Sequence, residues 1–127
     1  MDTKRKSRLL IIDDEKDICR FQKNIFKRRG FNTFTANSGT KAIALARKVK
    51  PDAAILDIHM AKGLSGIDIL KKLLKVIPNC RCIMVTWDEE KAKEAKELGA
   101  ADFLIKPVEL NKLERAVDKA LRSLKNG

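Results

Sequence analysis

The sequence predicts an α/β fold in which one parallel sheet is covered by helices on both faces. Short apolar, β-rich runs recur five times, and a longer segment with apolar residues at helical spacing follows each of them. The runs are almost continuously apolar, which is typical of strands buried on both faces and joined by right-handed crossovers. The expected strands are residues 9–12, 31–35, 53–56, 82–85 and 103–105. The expected class is therefore a doubly wound sheet with five helices.

The helices between these strands have apolar stripes and marked ends. The first helix should bury one face, formed by Ile18, Phe21, Gln22, Ile25 and Phe26. Similar stripes occur in the second and third helices. The residues expected to cap or end helices are Gly30, Ser38, Pro51, Pro78 and Gly99.

The length of 127 residues suits one domain with one core. We expect a flexible basic tail at residues 1–7, the folded domain at 8–124 and a short tail at 125–127. No apolar run approaches the roughly 18 residues of a membrane span, and the apolar stretch near the N-terminus is too short for an export signal. The 3 cysteines lack redox and metal-binding spacing. We therefore expect reduced thiols in a cytoplasmic protein.

The net charge of +11 can favour nucleic acid or acidic protein partners. The basic residues are spread over the N-terminal tail and at least three helices, which favours a solvated surface over a nucleic-acid footprint. With 1 Trp, 5 Phe and no Tyr, stacking platforms for single strands are scarce. We expect no specific nucleic-acid binding and no membrane binding by this domain.

Polar side chains follow four of the five predicted strands. Strand one is followed by Asp13 and Asp14, strand three by Asp57, strand four by Thr86 and strand five by Lys106. Ligands of open α/β sheets bind beyond the carboxyl ends of the strands, so these side chains should share one edge. Carboxylates brought together repel one another unless a hard cation binds them, and Mg²⁺ suits a site that also holds phosphate.

Each of these residues also has an ordinary structural explanation. Asp13 and Asp14 could satisfy the N-terminus of a helix, and Asp57 could be a turn residue. Thr86 could cap the following helix, and Lys106 could lie in a loop. The combination of compatible chemistry at four strand ends, rather than any one residue, favours a phosphate-handling site.

These residues resemble the receiver domains of response regulators in bacterial two-component signalling. The resemblance rests on residues 11–15 (IIDDE), 54–57 (AILD), 84–86 (MVT) and 103–107 (FLIKP), and it covers nearly the whole chain. It implies a flavodoxin-like, CheY-like fold with strand order 2-1-3-4-5. It also implies a phosphorelay function.

The resemblance implies that Asp57 accepts a phosphoryl group from a sensor histidine kinase or a phosphotransfer protein. The implied cofactor is Mg²⁺, bound directly by Asp14 and Asp57, mainly through water by Asp13, and by the backbone carbonyl of His59. Such a domain is not an enzyme in the usual sense, because it catalyses only its own phosphorylation and dephosphorylation.

The same resemblance implies a switch. Lys106 would pair with the acyl phosphate, Thr86 would move to bond a phosphate oxygen, and Phe103 would follow Thr86 inward. This movement would remodel the surface of helix four, strand five and helix five, which an output domain or partner reads. Receiver domains often form homodimers through that surface.

The sequence departs from the family pattern at two places near the site. Ala61 stands where proline is common, and Gly66 comes one residue late, so we expect a reshaped loop over residues 61–65. Trp87 follows Thr86 where a small residue is usual. We expect the indole to stand near the entrance to the acceptor and to restrict the access of water.

Three other functions are weaker explanations. A pseudo-receiver would act as an interaction module without carrying phosphate, but Asp57, Thr86 and Lys106 are all present. A hydrolase of the haloacid dehalogenase type needs a second Asp two residues after the nucleophile, where this chain has His59. We expect the His59 side chain neither to bind Mg²⁺ nor to carry phosphate. A dinucleotide-binding domain would need a Gly-x-Gly-x-x-Gly motif, which the sequence lacks.

Overall fold

The computed structural model describes residues 6–60 and 63–126, which form five alternating strand and helix units. In chain order the elements are β1 (Arg8–Ile12), α1 (Lys16–Arg28), β2 (Asn32–Ala36), α2 (Gly39–Val49), β3 (Ala53–Asp57), α3 (Gly66–Val76), β4 (Arg81–Thr86), α4 (Glu89–Glu97), β5 (Asp102–Ile105) and α5 (Leu110–Asn126). All strand pairs are parallel, and the order across the sheet is β2-β1-β3-β4-β5. The predicted class, topology and helix number are confirmed.

The sheet separates two apolar layers because successive strand side chains point to opposite faces. Leu10 and Leu56 lie on the face that α2, α3 and α4 cover. Leu9 and Ile55 lie on the other face, against α1 and α5. The strands are therefore buried on both sides, as their continuous apolar runs predict.

The predicted turn chemistry is confirmed at the helix ends. The Ser38 hydroxyl accepts a hydrogen bond from the backbone N–H of Lys41 at the start of α2. Gly30 and Gly99 have positive φ angles of 95° and 115°, which an L-residue adopts only with strain. Helices α2 and α3 end at Val49 and Val76, before the two prolines.

The buried face of α1 differs from the prediction at one position. Cys19, Ile25 and Phe26 are buried, whereas the Phe21 side chain is 60% exposed. Phe21 was expected in the buried stripe, and that prediction is wrong. Phe21 is displaced around the helix from Cys19 and Phe26, so it lies beyond the edge of the sheet-facing stripe.

The ends of the folded region extend slightly beyond the predicted boundaries. The Ser7 carbonyl accepts a hydrogen bond of 2.9 Å from the Asn32 N–H, so the predicted N-terminal tail is tied to β2 at its last residue. Residues 1–5 and 127 of the two predicted tails lie outside the described residues, while α5 continues to Asn126. Within the described segments, no helix combines the length and the apolar character that crossing a membrane requires.

Candidate functional site

Three carboxylates meet at the carboxyl edge of the sheet. One oxygen from each of Asp13, Asp14 and Asp57 lies within 4.8 Å of the others. The parallel pairing of β1 with β3 places Ile12 beside Leu56, so the residues after these two positions emerge together. Asp13 and Asp57 are buried, with 6% and 4% of their surfaces exposed, and Asp14 is partly exposed. The expected acidic cluster is therefore present.

Asp57 is held from two sides. Its Oδ2 accepts a hydrogen bond of 3.0 Å from Lys106 Nζ, and its Oδ1 accepts one of 3.0 Å from the His59 backbone N–H. The Lys106 backbone N–H in turn donates to the Thr86 carbonyl at 2.8 Å, which fixes the residue after β5 against β4. Lys106 therefore contacts Asp57, as the order of strand ends predicts.

Asp13 is held by hydrogen bonds from the start of α1 and from the residue that follows β2. Its Oδ1 accepts a hydrogen bond of 2.9 Å from the Glu15 N–H, and Glu15, not Asp13, is the N-cap of α1. Its carbonyl accepts from Asn37 Nδ2 at 2.9 Å and from Cys19 Sγ at 3.4 Å. Asn37 was not among the predicted site residues. It directly follows β2, so its place after a strand could have indicated it, as for the polar residues that follow the other four strands.

The electrostatics of the cluster follow from burial and from the close carboxylates. Burial is the main cause that raises the pKa of Asp13 to about 6, and the charges of Asp57 and Asp14 raise it further. The Glu15 N–H and the Lys106 charge oppose this rise. At Lys106, burial disfavours the charged form, but the hydrogen bond and charge of Asp57 outweigh it and raise the pKa above its ordinary value.

This arrangement fits a divalent cation with oxygen ligands. The three clustered carboxylates supply the ligand type that Mg²⁺ prefers, and one Lys106 charge does not neutralise three acids. A bound cation would also relieve the repulsion that raises the pKa of Asp13. Asp13, Asp14 and Asp57 are therefore the side chains that could hold the metal.

The Thr86 side chain is fully buried at the end of β4. Its Oγ1 accepts a hydrogen bond of 3.0 Å from the Asp88 N–H, and the Asp88 carboxylate accepts from the Lys91 N–H at the start of α4. Asp88 is thus the helix cap, and Thr86 orders the turn before it. Phe103 is partly buried and packs against the core beneath α2, α3 and α4.

Two rings stack beside Asp57. The imidazole of His59 and the indole of Trp87 have centroids 4.8 Å apart and planes that differ by 13°. His59 Nε2 also lies 3.8 Å from Asp88 Oδ2. Trp87 is 66% exposed, so the indole covers His59 on one face and meets solvent on the other.

A glycine is required at position 66 because its backbone closely approaches Asp57 and Ile58. A Cβ at this position would lie 2.3 Å from Ile58 Cα and 2.6 Å from the Asp57 carbonyl oxygen. The Gly66 N–H donates to the Ile58 carbonyl at 2.8 Å. The predicted reshaping of the loop over residues 61–65 rests partly on Ala61 and Lys62, which lie outside the described residues.

A groove opens beside the acidic cluster, between α1 and the segment that joins β5 to α5. Its volume is about 560 Å³, and its lining includes Ile18 and Gln22 of α1 and Pro107 and Val108 of the joining segment. In the described part of the chain, the buried Gln22 Oε1 has no hydrogen-bond partner. Asp57 and Lys106 also line this groove, so it leads to the Asp57 carboxylate.

The fold and the site define a class: a small doubly wound α/β domain with three carboxylates and one lysine at the carboxyl edge of its sheet. The sequence profile of the family described as "Response regulator receiver domain" matches residues 9–118. The chain therefore belongs to the response regulator receiver domain family of two-component signalling.

Individual relatives agree with this assignment. Sporulation initiation phosphotransferase F of Bacillus subtilis is 34% identical over 90% of this chain and 93% of its own length. Regulatory protein AtoC of Escherichia coli is 36% identical, but the match covers only 25% of that longer protein. The crystal structure of a response regulator receiver domain protein from Clostridium thermocellum superposes with a TM-score of 0.87 at 32% identity, covering 94% of this chain and 97% of that one.

Proposed function

We propose that this receiver domain is a phosphorylated switch whose acceptor is Asp57. The observation that carries the proposal is the position of the Asp57 carboxylate, which lies within 4.8 Å of oxygens of Asp13 and Asp14 and 3.0 Å from Lys106 Nζ. A carboxylate placed between a cation-binding cluster and a lysine is suited to receive a phosphoryl group, because a cation bound on one side and Lys106 on the other would offset the charge of the transferred group.

The proposed reaction is a transfer from phosphohistidine. A carboxylate oxygen of Asp57 attacks the phosphorus, and a new P–O bond forms while the P–N bond breaks and the imidazole leaves. Asp13, Asp14, Asp57 and the backbone carbonyl of His59 would hold Mg²⁺, which supplies positive charge to the transferred group. Lys106 offsets charge on the same group, and the His59 N–H keeps Asp57 oriented.

The groove beside Asp57 supports a protein as the phosphodonor. It joins Asp57 and Lys106 to an apolar strip that includes Ile18, Pro107 and Val108. An exposed Phe21 lies on the same helix, one turn after Ile18. We propose that a sensor histidine kinase or a phosphotransfer protein docks on this surface in the cytoplasm and presents its phosphohistidine to Asp57.

The phosphoryl group would be read through Thr86 and Phe103. In the structure Thr86 Oγ1 accepts a hydrogen bond from the Asp88 N–H, so the proposed movement of Thr86 toward a phosphate oxygen would exchange this contact. Exchange would alter the first turn of α4 and the packing beside Phe103. Phosphate can shift this equilibrium only by bonding Thr86 and Lys106 better in one conformer than in the other. The reader would be an output domain or partner that contacts α4, β5 and α5.

We further propose that Trp87 controls the access of water to the phosphorylated Asp57. The indole stacks on His59, and the His59 backbone N–H bonds the Asp57 carboxylate. An apolar ring at this position occupies space from which water would otherwise approach the acyl phosphate.

Intact-mass spectrometry after incubation with phosphoramidate and Mg²⁺ tests the acceptor. The wild-type chain should gain one phosphoryl group, and Asp57→Asn should gain none. Asp52→Asn is a matched control, because it changes another carboxylate next to β3 and should leave phosphorylation intact. Labelling of Asp57→Asn to the wild-type level would refute the acceptor. Failure of the wild type with every small donor and every histidine kinase would support a pseudo-receiver that works without phosphate.

A further inference from the structure

Two neighbouring helices, α2 and α3, carry exposed cations and almost no acidic residues. Helices α2 and α3 lie side by side on one face of the sheet, and Asp68 is the only acidic residue within them. The Asp68 carboxylate accepts a hydrogen bond from the Ser65 hydroxyl at 3.0 Å. The exposed cations of the two helices are Lys41, Arg47, Lys48, Lys71, Lys72 and Lys75.

Helix α4, on the same face of the sheet, has a different charge pattern. Its lysines alternate with glutamates, and Lys91 and Lys93 lie 3.5 Å from Glu94 and Glu89 respectively. The charges of α4 therefore largely cancel within the helix, whereas those of α2 and α3 add. An excess of one sign on one face creates a local potential that attracts a partner of opposite charge.

A groove runs between the two cationic helices. Its volume is about 340 Å³, and it is lined by Thr40, Ile43, Ala44, Arg47, Leu64 and Lys72. Gly39 allows the loop before α3 to approach α2, since a Cβ there would lie 3.0 Å from the Leu64 Cβ. Half-buried Ile43 and Leu64 form an apolar floor, and no carboxylate occurs among the described lining residues.

We propose that this α2–α3 groove binds an acidic segment of a partner protein, with carboxylates at Arg47 and Lys72 and an apolar side chain on Ile43 and Leu64. Charge complementarity selects an anionic partner. The apolar floor favours a polypeptide over a nucleic acid, because a phosphate backbone gains nothing from Ile43 and Leu64, and no aromatic ring for base stacking lines the groove. None of the described lining residues belongs to the acidic cluster or to the groove beside Asp57, so the proposed contact involves no phosphoryl group.

Fluorescence anisotropy with a labelled twelve-residue peptide of alternating glutamate and leucine tests this inference on the full chain. The wild type should bind the peptide with an affinity that falls as salt is added. The double variant Arg47→Gln and Lys72→Gln should bind about tenfold more weakly, because two exposed ion pairs are lost. The matched control, Lys27→Gln with Arg115→Gln, removes the same charge from exposed positions of α1 and α5 and should change the affinity by less than about twofold.

Equal losses in the groove variant and the control would overturn the site, since they would mean that only net charge matters. So would the absence of peptide binding at about 1 mM, the weak end of specific recognition. A peptide with alanine in place of leucine should bind more weakly, and equal binding would refute the apolar contact. The groove variant should also be tested with duplex DNA and with phosphatidylserine vesicles. If either binds the wild type more tightly than the peptide does, and the groove variant loses that binding, the proposed acidic protein partner is wrong.

Discussion

The indole of Trp87 stacks on the imidazole of His59, with ring centroids 4.8 Å apart, at the point where β3 and β4 end side by side. The backbone N–H of His59 donates to Asp57 Oδ1, so the ring pair is connected to Asp57 through one residue. Trp87, which directly follows the buried Thr86, is therefore in contact with His59, the residue that orients Asp57. A change in this stack should alter the chemistry of Asp57 without altering the core.

Trp87→Ala should shorten the lifetime of the phosphorylated protein by about threefold or more, because water gains a path to the acyl phosphate. The measurement is the rate of phosphate loss from the purified phosphorylated chain in Mg²⁺. Trp87→Phe retains a ring that can stack on His59 and should stay close to wild type. If Trp87→Ala keeps the wild-type lifetime, water access is not controlled by the indole, even if tryptophan fluorescence responds to phosphorylation.

Asp13 should make the metal-free protein less stable at neutral pH than at pH 5. Its pKa is raised to about 6 in the folded state from 3.8, mainly by burial, so the folded protein holds this proton more tightly than the unfolded chain does. Between pH 3.8 and about 6 the folded protein binds more protons than the unfolded chain, so the free energy of unfolding falls as the pH rises through this range. Only about one pH unit of this range lies above pH 5, so the loss of unfolding free energy between pH 5 and neutral pH is on the order of 1 kcal/mol.

Urea unfolding in EDTA at pH 5 and pH 7.5 measures this effect. Asp13→Asn retains an oxygen that accepts the Glu15 N–H but cannot ionise, so it should be more stable than wild type at pH 7.5. The difference between the two proteins should shrink at pH 5. An equal difference at both pH values would show that the ionisation of Asp13 does not set this dependence.

Mg²⁺ should stabilise the fold through the three clustered carboxylates. A ligand that binds only the native state adds about 2.7 kcal/mol at a concentration 100 times its Kd. Asp14→Ala should lose most of this gain, as measured by the melting temperature with and without Mg²⁺. Asp17→Ala removes an exposed carboxylate of α1 outside the cluster and should retain the gain. A full response in Asp14→Ala would contradict a direct metal bond.

Gly66→Ala should destabilise the protein by about 2–3 kcal/mol, because the new methyl group would overlap backbone atoms of Asp57 and Ile58. Chemical denaturation gives the loss. At Gly39 an added methyl would lie 3.0 Å from Leu64 Cβ and Ile69 Cγ1, a milder approach than the 2.3 Å to the Ile58 Cα at Gly66. Gly39→Ala should therefore cost less. Equal losses would mean that the backbone near Asp57 adjusts freely.

The periodicity of the sequence was sufficient to predict the helices and strands, and the direction of the strands was sufficient to predict the site. Because all five strands are parallel, Asp13, Asp57, Thr86 and Lys106 had to emerge at one edge. The same rule applies to Asn37, which follows β2 but was not among the predicted site residues. Phe21 was misplaced, because spacing alone does not show which edge of an apolar stripe the sheet covers.

The sequence by itself determined the order of elements, the two-layered core and the identity of the acidic residues at the carboxyl edge of the sheet, since these depend on local pattern and on general rules of chain connection. The tertiary structure alone decided which atoms meet: the Thr86 hydroxyl with the Asp88 N–H, Asn37 with the Asp13 carbonyl, and the His59 ring with Trp87. It also placed the cations of α2 beside those of α3. Such contacts depend on side-chain rotamers and on the packing of distant segments, and a single sequence carries neither.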